Sequence, residues 1–382
     1  PRKPYPPPPP QKSIVKRPAP TSARIITVDV DGDKVELHAA FTHAVLKISA
    51  IRAQRVRQKF FGSPKELKAI IGYNSHFFRE TDRHSMYYVR ARQKMIRDMR
   101  GKPASDTSDL GTLTNAEAQA VVFTTYLFRL YNRMSTFVLW SLLRKYVTTP
   151  DTAKPAKWAA ALASLTKEDL DEYHCAQREF SPTRVTLPGF PGLAVAPRAV
   201  VAAAVKPSQG VGFLNCVHAL KDNGYTVFTG QHQVQSRDNT RSVVETLLRG
   251  SYLAELTATL RTIRPTDKKL CMEQCCKALK ITHVGEFLQY QIIQDLVEPR
   301  NSIFRGQPNE EDIRRERFEY AQFGPGSLGG AGLVAAGNQD LFGSSAAGQA
   351  GARRIARALV VYGKKRGLGD EWVKATGSLC PL

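Results

Sequence analysis

Gln291 and Asp295 stand one helical turn apart in VGEFLQYQIIQDL, residues 284–296, on the side of the predicted helix that should be apolar. At about 100° per residue, Val284, Phe287, Leu288, Ile292 and Leu296 form one arc, and both polar side chains fall inside it. A carboxylate there is costly unless it is hydrogen-bonded or lines a wet pocket. The anomaly recurs on two other predicted helices. In the run from Asn74, Asp82 lies with Phe78, Met86 and Val89, and Arg79 is one turn away. In AEAQAVVFTTYLFRLYNR, apolar on nearly every side and therefore central, Thr125, Arg129, Asn132 and Arg133 share a sector of roughly 100°. One buried polar residue is ordinarily structural, a satisfied pair bonded to a neighbouring helix end. Three helices turning amide, acid and guanidinium groups inward predict a shared polar pocket. The pairing expected there is Arg129 or Arg133 against Asp82 or Asp295. An arginine so placed can also hold a phosphate or pyrophosphate bidentately.

A second constellation is FGPGSLGG, residues 323–330. Gly324 and Gly326 flank a proline in a tight turn, and Ser327 can start a helix. Exposed amides at such a turn grip DNA phosphates in helix-hairpin-helix modules. The basic run that follows Asn74 adds a cationic flank of Arg79, Arg83, Arg90, Arg92, Lys94, Arg97 and Arg100, suited to phosphate contacts. The formal net charge of +21 points to nucleic acid as partner ahead of an anionic membrane surface. A basic structural or ribonucleoprotein scaffold would explain the charge, but not the inward polar residues.

Other chemistries are disfavoured. The chain has no GxxxxGK[ST] phosphate loop and no GxSxG, HExxH or HxE…PCxxC pattern. The cysteines Cys175, Cys216, Cys271, Cys275, Cys276 and Cys380 lack zinc spacing, so reduced thiols and no metal are expected. DVDGD resembles part of a calcium loop but lacks its twelfth-position glutamate. No cofactor is legible. No apolar run reaches the roughly 18–20 residues that span a bilayer, the richest being 120–130, so no membrane partner is expected.

The elements that must position these residues are mostly helices. Residues 1–22 read as a proline-rich basic arm and 23–38 as a β-hairpin around Asp-Gly-Asp. Residues 39–180 read as the first part of a helical core, 181–210 as a Pro- and Ala-rich insertion or connector, and 211–337 as the second part carrying the GPG turn. Residues 338–382 read as a basic Gly- and Ala-rich tail with one short helix, ARRIARALVVYG. Asn115, Ser135 and Thr166 are the expected helix caps. The predicted fold is mainly α, with a small N-terminal hairpin and flexible basic ends.

Four blocks occur in order: NSHFFRETDR (74–83), VVFTTYLFRLYNRMST (121–136), GEFLQYQIIQDL (285–296) and FGPGSLGG (323–330). Together, over roughly residues 40–340, they resemble the helical domain of the 5-hydroxymethyluracil DNA kinase and alpha-glutamyl/putrescinyl thymine pyrophosphorylase family. The resemblance implies a helical fold related to helix-hairpin-helix DNA glycosylases and a part in hypermodifying thymine-derived bases. The matching positions are Asn74, Arg79, Asp82, Arg129, Asn132, Arg133, Gln291, Asp295, Gly324 and Gly326. On this reading Gln291 or Asn132 reads the edge of an extruded pyrimidine. Arg129 or Arg133 stabilises a leaving phosphate or pyrophosphate, and Asp295 or Asp82 takes a proton from an incoming amine. The missing phosphate loop argues against an autonomous kinase, so a partner kinase or modifying enzyme is expected, with duplex DNA as substrate in a nuclear or otherwise DNA-associated setting. The alternative is a non-catalytic DNA-binding module, or a mobile-element-derived protein, that recruits a partner enzyme.

Overall fold

The structure, a computed structural model, describes residues 24–47, 83–103, 108–131, 134–179, 204–225, 227, 237–264, 271–298, 302–313, 323 and 325–367. The expected arm, most of the expected connector, and Asn74, Arg79, Asp82, Asn132, Arg133 and Gly324 lie outside these residues.

The fold is mainly helical, with one two-stranded antiparallel sheet. Strands β1 (Ile25–Val30) and β2 (Asp33–His38) pair from Ile25↔His38 to Val30↔Asp33. Asp31 and Gly32 both take positive φ, 54° and 89°, the left-handed pair that a two-residue turn of this twist demands. Asp29 Oδ1 accepts from the Gly32 amide at 2.9 Å. The register sets Ile26 opposite Leu37 and Val28 opposite Val35, so one face is apolar.

Helix α1 (residues 39–47) follows directly. Next come α2 (Arg83–Met99), α3 (Asn115–Tyr131) and α4 (Met134–Leu143). Then follow α5 (Pro155–Ala163), α6 (Lys167–Glu179), α7 (Gly210–Asp222) and α8 (Arg237–Leu247). After α9 (Tyr252–Thr262) and α10 (Cys271–Ala278) comes α11 (Glu286–Leu296). The last two are α12 (Pro325–Ala336) and α13 (Ala346–Lys365).

The larger core is built around α3, buried from Glu117 to Tyr131 except at Gln119 and packed against α2, α8, α9 and α11. Stacked and edge-on rings of Phe128, Phe137, Phe213, Trp140 and Trp158 fill it on the α4 and α7 side. Helix α7 can approach the 150 loop only because residue 212 is glycine: a Cβ there would lie 1.9 Å from the Pro150 carbonyl oxygen. Cys216, Cys271, Cys275 and Cys276 are buried, and burial pushes Cys276 up to about 12 and Cys216 well above its ordinary value. Among the described residues no group of His, Cys, Asp and Glu is placed to hold a metal ion, and no helix is long and apolar enough to cross a membrane.

The caps correct one expectation and match another. Helix α3 is capped by Thr114, not Asn115: Thr114 Oγ1 accepts from the Glu117 amide (3.3 Å) and Glu117 Oε2 from the Thr114 amide (2.8 Å). This reciprocal box wins because it satisfies two orphan amides at once, while Asn115 Oδ1 accepts from Arg261. Thr166 and Asp169 form the same arrangement ahead of α6, as expected. Ser135 is not a cap, because α4 already begins at Met134.

A second, separate core joins sequence-distant segments. Val28, Val35 and Leu37 of the hairpin and Leu46 of α1 pack against Phe323, Leu328, Ala331, Val334, Ala352, Ile355, Ala358 and Leu359. The segment expected as a tail with one short helix therefore carries a 20-residue helix whose inner face completes this core. Ser345 caps it, accepting from the Gly348 amide at 3.1 Å. Its Gln349 clasps residue 323 with both amide atoms: the Phe323 N–H donates to Oε1 and Nε2 donates to the Phe323 carbonyl, each at 2.8 Å. Small residues here permit contact. A Cβ at Gly348 would lie 2.0 Å from the Gly343 oxygen, and one at Gly332 2.3 Å from the Asn338 oxygen.

Two outcomes follow. Gly348→Ala is expected to lower unfolding stability by about 1–3 kcal/mol through overpacking, whereas Gly343→Ala, with open space at its Cβ, changes it by under about 0.5 kcal/mol; urea unfolding distinguishes them. Hydrogen bonds from Arg100 hold the Glu117 carboxyl below its ordinary value. That contribution is complete above the unfolded glutamate value and is lost as pH falls through the lower folded one. Glu117→Gln is expected to flatten the acid limb of stability against pH.

Candidate functional site

Helices α2, α3 and α11 bring six polar residues into one buried cluster: Tyr88 and Arg92, Thr125 and Arg129, and Gln291 and Asp295. Arg129 donates from Nε to Asp295 Oδ2 at 2.5 Å and from Nη2 to Asp295 Oδ1 at 2.7 Å. Their side chains are 1% and 4% exposed, so this is a buried two-point fork. The pairing of Arg129 with Asp295 is one of those expected from helical spacing.

Arg92 joins the pair from the third helix. Its Nη1 donates at 2.9 Å to the backbone oxygen of Asp295, in the last turn of α11, an oxygen that also accepts from the Glu298 amide at 3.4 Å. Its guanidinium carbon sits 4.3 Å from the centre of the Tyr88 ring, which is itself stacked on Phe128 with centroids 4.4 Å apart. The Tyr88 hydroxyl is hydrogen-bonded to Thr125 Oγ1, which also donates to the Val121 carbonyl at 2.6 Å. Burial raises the Tyr88 phenol well above its ordinary value, and nearby Arg92 offsets only part of that rise.

The cluster is not fully satisfied. Arg92 Nε and Nη2 and Gln291 Oε1 are buried with no hydrogen-bond partner. The other buried amide of α11 whose bonding is seen behaves differently, as Gln289 Nε2 donates to the Val284 carbonyl at 2.7 Å.

Several expected positions come out differently. Arg92 is not on a DNA-facing flank; it is 0% exposed. It follows Tyr88 by four residues and precedes Met95 by three, and so lies on the face of α2 that packs inward. Arg100 is likewise engaged, bridging to Glu117 through Nε (2.5 Å) and Nη2 (2.7 Å) and so tying the end of α2 to the start of α3. Arg90 is partly buried. Ser327 is buried (3%), and Gly326 lies in the first turn of α12, which starts at Pro325 because proline's fixed φ suits a first helical position. Gly326 and Ser327 therefore belong to the second core's helix and are not brought to the α2–α3–α11 cluster.

The exposed cationic surface that sequence reasoning placed in a tail is on α13. Arg354, Arg357, Lys364, Lys365 and Arg366 are exposed. A half-open cleft of about 310 Å³ is lined by Arg353, Arg354 and Arg357 together with Asp31 and Asp33 of the hairpin turn. Arg354 reaches Asp33 at 3.4 Å. Helical spacing of four and seven residues sets Arg353, Arg357 and Lys364 on one stripe, a signal present in the sequence. Tyr88 and Arg92 were also findable, since Arg92 falls inside the arc of Tyr88, Met95 and Met99 by the same count that exposed Asp295.

No family model, curated protein or solved structure matches the chain.

The fork makes a measurable demand. Arg129→Met or Asp295→Leu alone leaves the other charge buried and unpaired, and is expected to cost about 3–5 kcal/mol. The double variant is expected to recover most of that loss, giving a large coupling energy in a urea-unfolding cycle. Additive losses would mean the fork is not formed.

Proposed function

We propose that the chain is a DNA-binding protein of thymine-base hypermodification, and that the α2–α3–α11 cluster walls the pocket for an extruded 5-hydroxymethyluracil-derived base. The observation that carries this reading is the conjunction of a locked Arg129–Asp295 fork with unsatisfied atoms on Arg92 and Gln291 beside it. Buried polar groups are ordinarily satisfied, and open donors on Arg92 with an open acceptor on Gln291 support a site that takes a polar ligand. Base chemistry requires extrusion from the stack, and the charge of +21 with the cationic stripe of α13 supplies contacts to the duplex phosphates.

In the reaction implied by the resemblance, the base carries pyrophosphate on its 5-methylene. An amine nitrogen attacks that carbon, the carbon–oxygen bond breaks, and pyrophosphate leaves with the electron pair. The nitrogen gives its proton to Asp295, whose carboxylate Arg129 orients, and Gln291 reads the edge of the base. Asn74, Arg79, Asp82, Asn132 and Arg133 keep the roles given by the resemblance. Prior phosphorylation falls to a partner kinase, since this chain has no phosphate-binding loop motif. The setting is nuclear or otherwise DNA-associated.

The occupation of both Asp295 oxygens by Arg129 favours a second reading, a non-catalytic DNA-binding module that delivers a modifying enzyme. Mass spectrometry of nucleosides separates the two. Duplex carrying pyrophosphorylated 5-hydroxymethyluracil, incubated with the protein and putrescine or glutamate, is expected to yield the amine-substituted base. Gln291→Leu is expected to cut the yield at least about tenfold, the equivalent of one edge hydrogen bond of roughly 1.4 kcal/mol. Salt-dependent duplex binding with no new nucleoside would overturn catalysis and leave the delivery module.

A further inference from the structure

We infer that Arg92 is the oxyanion-binding residue of the α2–α3–α11 cluster, presenting its Nε and Nη2 edge to a phosphate-type group. The inference rests on reading this cluster as a substrate pocket, but its test requires no base chemistry.

Charge supplies the first argument. Among the described members, two guanidiniums, Arg92 and Arg129, share one carboxylate, Asp295, and Arg129 occupies both of its oxygens. Among the described residues, Arg92 meets the neutral Asp295 carbonyl and the Tyr88 ring. A guanidinium 0% exposed with no anionic partner among those residues is an expensive group to bury. A bound oxyanion supplies the missing negative charge.

Geometry supplies the second. Nε and Nη2 are the side-on pair of guanidinium donors, the edge that meets two oxygens of one phosphate at once. Arg129 uses that same side-on edge on Asp295, so the edge is already taken there. In Arg92 both donors of the edge are buried and unbonded, while Nη1 is pinned to Asp295 O and the plane is steadied by Tyr88. The guanidinium is thus held through Nη1, with its Nε–Nη2 edge buried and unbonded. Arg97 and Arg144 also leave a buried Nε unbonded, but each side chain is only partly buried, so water can compensate it. The anion-holding task thus moves from Arg129 to Arg92.

Phosphate-type oxygens can come from a free or base-linked pyrophosphate, or from the DNA backbone. The test is thermal unfolding of the full chain with inorganic pyrophosphate in one arm, an unmodified short duplex in another, and sodium chloride at matched ionic strength as control. Wild type is expected to gain Tm saturably with pyrophosphate. If only the duplex raises Tm, and does so through Arg92, the anion is a backbone phosphate. Arg92→Met, which removes the uncompensated charge, is expected to unfold no lower than wild type without ligand and to lose the response. Arg92→Lys keeps the charge but not the fork, and is expected to bind at least about tenfold more weakly. The inference is overturned if neither probe stabilises wild type beyond the salt control, or if both variants respond as wild type does. It is also overturned if Arg92→Met loses stability as Arg129→Met does, which would make Arg92 a structural tie. Pyrophosphate binding through Arg92 with no base modification would sink the catalytic reading and leave this site standing.

Discussion

The main core is organised by a geometric demand at its centre: a guanidinium and a carboxylate, both out of water, must meet on two hydrogen bonds at once. Apolar packing between helices tolerates sliding and rotation, because many arrangements of methyl groups fill space about equally well. A two-point fork does not. It fixes the rotation of α3 and of α11 about their axes, since either helix turned by a residue would strand a charge. At α2 the constraint comes from Arg100, whose two-point contact with Glu117 ties the end of that helix to the start of α3. The three helices that carry the site are thus held by directional contacts, and the aromatic residues around them fill what remains.

The centre of this arrangement was legible from helical angles because a misplaced charge is a strong signal. Asp295 within an arc of Val284, Ile292 and Leu296 has few acceptable fates, and pairing with an inward Arg129 is the cheapest. Arg92 stood in the same kind of arc and was read as flank, because it sits in a run of exposed-looking cations. Density of charge along the chain masked the one cation whose neighbours at three and four residues are apolar or aromatic. The cap at Thr114 was missed by one position: Asn115 is an equally good capping residue by type, and only the glutamate three residues on tips the choice.

The C-terminal region shows what composition hides. From residue 338 glycine and alanine read as signs of a loose tail, yet Gly348 and Gly351 sit where backbone or ring atoms approach too closely for any side chain. Whether a glycine marks freedom or intimacy depends on what faces it, and nothing local encodes that. The helix from 346 was partly visible in ARRIARALVVYG, but its role was not, because its partner strands lie at the opposite end of the sequence. FGPGSLGG likewise reads as a turn for gripping phosphate, whereas Pro325 opens a helix that belongs to the second core.

That second core carries a consequence for how the protein is made. The apolar face of the hairpin emerges from the ribosome early, but the surfaces that cover it, residues 323–359, emerge late. Until those later residues emerge, Val28, Val35 and Leu37 have no native shelter, so the hairpin cannot be stable by itself in that interval. The larger helical core can collapse in the meantime, because its segments follow one another along the chain. Closing the second core is then a long-range event that waits for residues 323–359 to meet the hairpin, and until it happens the nascent chain presents an uncovered apolar face to its neighbours.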